Sequence, residues 1–178
     1  MPQAHTFTWA PGKRILVVLR EGLPEEYLEE ALYMAGATGA EDADFFHLKE
    51  EEGTENLARV ANHEFYGAVV FPPVDFGVAS RLGGRHLYQT LFDSLRPPVL
   101  LPRGSFPYER IVLVGGGPGI DDLARATGAE IVSLTKEFKG KDLLVVYRKR
   151  GTGHSLLSQD KALILAGTSK VSVLVVPT

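Results

Sequence analysis

Three features of the sequence predict an α/β protein with doubly wound, mainly parallel sheets. Short, continuous apolar runs alternate with helix-patterned segments along the chain. Runs of that length and β-branching fit strands covered on both faces. Strand alternating with helix is the connectivity that parallel neighbours require. Finally, the order of elements seen in residues 13–103 begins again at residue 110.

The elements follow in order. Residues 1–12 form an N-terminal arm punctuated by Pro2, Pro11 and Gly12. Lys13 and Arg14 open the first strand, 15–19. Pro24 suits the first turn of a helix, in which Leu28, Ala31, Leu32 and Ala35 share one face. Glu25, Glu26, Glu29 and Glu30 crowd its early turns, where carboxylates favour the positive helix end, and read as a solvated face. Gly36 and Gly39 close it. A strand at 44–48 follows, then an acidic loop and a helix capped by Thr54 with Leu57, Val60 and Ala61 inward. The third strand, 67–71, stops at Pro72-Pro73. A Gly/Arg-rich loop, 77–85, leads to a helix with Leu87, Leu91, Phe92 and Leu95. Pro97-Pro98 ends it before a fourth strand at 99–101.

After a linker at 104–109, the second half reads strand 110–114, glycine loop 115–119, helix 120–127, strands 130–134 and 142–147, loop 151–155, helix 156–166 and strand 171–176. The tetrapeptide Ala-Thr-Gly-Ala occurs at 37–40 and again at 126–129, each time between the first helix and second strand of its half. This predicts a tandem repeat of 13–103 and a shortened 110–178. The second copy has lost part of its first helix and the helix between its second and third strands.

Composition narrows the function classes. The 178 residues are 44% hydrophobic and 23% charged, a globular balance. A net charge of −3 excludes a nucleic-acid coat, which needs a broad basic surface. The absence of cysteine excludes disulfides, thiolate nucleophiles and Cys-ligated zinc. No window reaches membrane-span length, and the N-terminus has no signal-peptide pattern, so a cytoplasmic location is expected. Scarce Asn, Gln and Met, with Arg above Lys, point to a heat-adapted source. The charge is unevenly placed. Residues 20–64 hold 13 acids and 3 bases, a net of −10, and the remainder carries +7. The bases gather near strand ends, at Arg81, Arg85, Arg103, Arg148, Lys149 and Arg150, where they steer a small anion or bring two copies together.

Several of these residues resemble a known family. Lys13-Arg14-Ile15-Leu16-Val17-Val18, an acidic helix with Ala31-Leu32, and Gly39-Ala40 resemble the opening of a universal stress protein. Gly67-Ala68-Val69-Val70, a Gly/Arg-rich loop, a helix and Pro97-Pro98-Val99-Leu100-Leu101-Pro102 resemble its closing segment. Asp142-Leu143-Leu144-Val145-Val146, Arg150-Gly151-Thr152-Gly153 and Ser172-Val173-Leu174-Val175-Val176-Pro177 repeat that closing segment. The resemblance implies an adenine-nucleotide α-hydrolase-like fold, a tandem pseudo-dimer paired through the strands at Val99 and Val173, and ATP binding at the carboxyl ends of strands. The family's Asp after the first strand is replaced by Arg20 in one half and Gly116 in the other.

Three segments are candidate anion sites. Gly115, Gly116 and Gly117, with Pro118 and Gly119, lie between a strand and a helix, where backbone N–H groups can hold phosphate. The same residues also make an ordinary tight turn. Gly83, Gly84, Arg85 and His86 open the helix before the fourth strand, where arginine and helix N-terminus would act together. A solvated loop is the alternative. Arg148, Lys149 and Arg150 precede Gly151, Thr152, Gly153, His154 and Ser155. Here the glycines admit an anion to the backbone, and Ser155 caps the next helix. A basic surface turn is the plainer reading. The histidines form no ligand pair, so no metal is expected beyond nucleotide-bound magnesium. The expected function is a non-catalytic, stress-protein-like chain that binds ATP or a small anion. Its rivals are a nucleotide-indifferent scaffold for a protein partner and a nucleotide α-hydrolase-like enzyme.

Overall fold

The computed structural model describes residues 14–40, 42–49, 54–63, 66–74, 81–114, 120–133, 137–149 and 160–178, with the side chains of 38 and 81–86 set aside. The elements are β1 (Arg14–Leu19), α1 (Glu25–Thr38), β2 (Asp42–His47), α2 (Glu55–His63), β3 (Ala68–Val70), α3 (Arg81–Ser94), β4 (Val99–Leu101), β5 (Arg110–Val114), α4 (Asp121–Thr127), β6 (Glu130–Ser133), β7 (Asp142–Arg148), α5 (Lys161–Thr168) and β8 (Ser172–Pro177). None of the described helices is long and apolar enough to cross a membrane.

The eight described strands join one sheet in the order β2-β1-β3-β4-β8-β7-β5-β6. β1 to β4 are mutually parallel, and so are β5 to β8. The two sets meet at an antiparallel pair, with Val99 opposite Val175, Leu100 opposite Leu174 and Leu101 opposite Val173. The strand order is therefore palindromic about the β4–β8 pair. The carboxyl ends of the two strand sets point to opposite ends of the sheet.

Successive strand residues face opposite sides, and both sides are covered. Leu16 and Val18 pack with Leu57, Leu91, Phe92 and Ala162 beneath α2, α3 and α5. Ile15 and Val17 pack with Tyr27, Ala31, Met34 and Leu123 beneath α1 and α4. This double coverage accounts for apolar runs without polar alternation.

The repeated tetrapeptide has a local cause. Gly39 and Gly128 end α1 and α4 in the left-handed region, at φ 70° and 74°. Each glycine N–H returns to the carbonyl of Ala35 or Ala124. The following Ala40 and Ala129 amides reach the same carbonyls at 3.0 and 3.1 Å. Glycine supplies the left-handed turn, and the chain passes at once into the next strand.

Several expectations need correction. The buried face of α1 is Tyr27, Glu30, Ala31 and Met34, whereas Leu28 and Leu32 are 38% and 50% exposed. Tyr27 fills the core slot assigned to the leucines. Gly36 lies inside α1, and Gly39 alone ends it. β2 starts at Asp42, two residues early, because Asp42 pairs with Arg14. α3 begins at Arg81, so Gly83, Gly84, Arg85 and His86 lie within the helix rather than opening it. α5 begins at Lys161, where the Asp160 side chain accepts the Leu163 N–H. The expected cap, Ser155, is outside the described residues.

Candidate functional site

β1 leads through α1 to β2 on one side, and β2 leads back through α2 to β3 on the other side of β1. The crevice between β1 and β3 is therefore the switch point of the first strand set, the place where open α/β sheets bind ligands. A cleft of about 670 Å³ opens there, within the ~300–1,000 Å³ of small-molecule sites. Arg20 follows β1, Pro73 follows β3, and Pro102 to Gly104 follow β4. Pro24, Glu26 and Tyr27 bring the first turn of α1, and Gly167 to Lys170 bring the α5–β8 corner.

Three cations, Arg20, Arg103 and Lys170, line this cleft against one carboxylate, Glu26. No side chain caps the start of α1, whose N-cap residue is Pro24, so its positive end adds to the field. Arg20 Nη2 reaches the Pro73 carbonyl at 3.4 Å. Arg103 Nη2 donates to the Ala166 carbonyl at 2.6 Å. The Tyr27 hydroxyl reaches the carbonyl oxygens of Val18 and Val70, the latter at 2.9 Å. Burial pushes the Tyr27 phenol up, opposed by the Arg20 charge, so it remains a neutral donor. The arrangement can hold a small polyanion against walls of proline and leucine.

One wall of the cleft is fixed by a buried carboxylate. Glu30 is 0% exposed. Its Oε1 accepts the Gly104 N–H at 2.8 Å, and its Oε2 accepts the Tyr108 hydroxyl. Ser105 and Ser172 also bond to it. Burial pushes the Glu30 carboxyl up, and these hydrogen bonds offset only part of the shift. Gly104 sits at φ 80°, and a Cβ there would meet Glu26 Oε2 at 2.9 Å. Glycine at that position thus permits the close approach of α1 to the cleft wall. The expected solvated glutamate face therefore has one member inside the protein.

The sequence candidates fall elsewhere. Gly115, Gly116, Gly117, Arg150, Gly151, Thr152, Gly153 and Ser155 lie outside the described residues. Their connections leave β5 and β7, which are adjacent and parallel with Val114 opposite Val146. That crevice is the switch point of the second strand set, at the opposite end of the sheet. Gly83, Gly84, Arg85 and His86 belong to the β3–β4 connection. Arg148 is 4% exposed and turned inward. Its Nη1 bonds Asp93 at 2.7 Å, its Nε bonds Asp160 at 3.0 Å, and its guanidinium lies over Phe92. Strand parity explains this, since Arg148 shares the covered face of Leu144 and Val146. The reading of Arg148 as part of a basic anion loop gives way to a buried ion network joining α3, β7 and α5. Among the described residues, no three His, Cys, Asp or Glu side chains converge on a metal position.

Arg103 was signalled by its place after a strand. Arg20 was marked only as a departure from a pattern, and Lys170 carried no signal. Fold and cleft together define a mainly parallel, doubly wound α/β protein with a cationic crevice at one switch point. No family model and no curated protein matches the chain. It is similar in structure to a functionally unknown protein from Pseudomonas aeruginosa PAO1, with a TM-score of 0.64 and 13% identity over 93% of this chain and 92% of that one. At that identity the likeness shows the fold alone.

Proposed function

We propose that this chain is a universal-stress-protein-like tandem pseudo-dimer that binds a nucleotide of the ATP class, or a related small polyanion, without catalysis, in a stress or regulatory role. The observation that carries this reading is the cleft at the β1–β3 switch point, with Arg20, Arg103 and Lys170 around it. The palindromic strand order and the two matching Ala-Thr-Gly-Ala caps support the tandem part. A polyphosphate meets the cations, and the leucine and proline walls accept a flat apolar base.

Thermal unfolding with magnesium-ATP tests it. Ligand at ten times its Kd stabilises the folded state by about 1.4 kcal/mol. For a chain of this length that raises Tm by about 3–5 °C. Arg20→Glu with Lys170→Glu abolishes the shift while leaving the unliganded Tm nearly unchanged, because both side chains are exposed. No shift at millimolar ATP, or an equal shift in the double variant, overturns the reading.

A further inference from the structure

The α1–β2 edge carries an apolar trough that the ligand reading does not use. Glu30 and Tyr33 lie on the flank of α1 that faces the 104–109 segment, where Tyr33 packs against Phe106 and Tyr108. Leu28, Leu32 and Ala35 recur at helical spacing on the opposite flank, toward the outer strand β2. Phe45 is opposite Val17, which belongs to the core beneath α1, so Phe45 rises on that same side of the sheet. Leu28, Leu32 and Phe45 are 38%, 50% and 50% exposed. They are three of the five large exposed apolar side chains among the described residues. Exposed Glu25 and Glu29 follow on the solvent side of α1. Among the described strands, β2 is the outermost on this side.

We infer that the occupant of this trough is the chain's own N-terminal segment, with Phe7 and Trp9 as its anchors. His5-Thr6-Phe7-Thr8-Trp9-Ala10 alternates polar and aromatic residues, and an extended chain presents such alternate residues on one side. The segment enters at Arg14, which is paired with Asp42 at the start of β2. Trp9 and Phe7 precede Arg14 by five and seven residues, a reach of about 16 and 23 Å. Asp42 to Phe45 spans about 10 Å along β2, and Ala35 to Leu28 about 10 Å along α1, so both anchors reach the trough with slack. Charge agrees as well. Residues 1–13 contain Lys13 and no Asp or Glu, whereas α1 carries Glu25 and Glu29 on its solvent side.

Trp9 is the only tryptophan, so the intact chain reports on itself. Its native emission is blue-shifted from the urea-unfolded position and protected from acrylamide. Leu32→Glu and Phe45→Ser each move the emission to the red and raise the quenching constant severalfold, with far-UV circular dichroism unchanged. Ile164→Glu, exposed on α5, leaves both readings where they were. A native Trp9 as accessible as in urea overturns the inference, and this needs no variant. So does an emission indifferent to both trough substitutions. A blue shift that grows with protein concentration also overturns it, and assigns the trough to a second copy.

Discussion

Glu30 concentrates the residue-scale argument. Its carboxylate is taken out of water, which costs energy, and is then surrounded by donors from the chain between β4 and β5 and from β8. Burial wins, so the folded-state pKa stands above the unfolded value. A raised acid contributes its full stability below the unfolded pKa, near pH 4, and loses it as pH rises through the folded pKa. Urea-unfolding free energy therefore falls with rising pH above about 4 and then levels, and Glu30→Gln flattens that slope. Glu30→Ala costs about 3–5 kcal/mol at neutral pH, because the donors stay buried without their acceptor. Asp142 runs the other way. Burial raises it, but Arg110 at 2.6 Å and the Lys139 N–H outweigh burial and lower it. Its stabilisation is lost only as pH falls through its depressed folded pKa, which separates the two titrations. A slope above pH 4 that persists in Glu30→Gln would remove Glu30 as its source. None of this was legible in the sequence, because a glutamate among glutamates at a helix start has every mark of a solvated face.

Elements were far more legible. β4 and β5 match their expected bounds, and the other strands differ by one or two residues at one or both ends. A run such as Ile15 to Val18 can satisfy a twice-covered strand and little else. Helix ends were read where a cap was chemically distinct, as at Gly39 and Gly128. The α5 start was placed at 156, whereas the described helix begins at Lys161 with Asp160 as its cap. The α1 face was misread because Leu28 and Leu32 outweigh Tyr27 in apolarity, although Tyr27 alone can reach the carbonyls of both β1 and β3. The caps yield a contrast within one helix. Gly39→Ala and Gly128→Ala place a Cβ at positive φ and each cost about 1–2 kcal/mol. Gly36→Ala, with nothing within 4 Å of its Cβ, removes backbone freedom from a helix interior and gains about 0.5–1 kcal/mol. Chemical denaturation of the three variants checks the signs, and a loss at Gly36 equal to that at Gly39 would contradict the cap assignment.

At the scale of the whole molecule, the site was hidden because its wall comes from four separated stretches of chain. Gly167 to Lys170 reach the cleft of the first strand set only because β8 lies antiparallel against β4. No local pattern states which end of a sheet a later strand will present. The same pairing decides how the chain unfolds. Val99, Leu100, Leu101, Val173, Leu174 and Val175 are all buried. The core on each face also draws residues from both strand sets. Leu16 and Val146 share one core, and Ile15 and Val145 share the other. Separating the halves would expose the central strands and both cores together, so neither half has a core to keep. The chain should then open as one cooperative unit despite its repeated order. Leu100→Ala, which removes a fully buried side chain from the central pair, should cost about 2–4 kcal/mol. Native-state hydrogen exchange reads where that loss is felt. Amides of β1 and of β7, on opposite sides of the junction, should lose protection by the same amount. A loss confined to β1, with β7 unchanged, would mean that the halves open independently and that the β4–β8 pair joins two domains rather than building one.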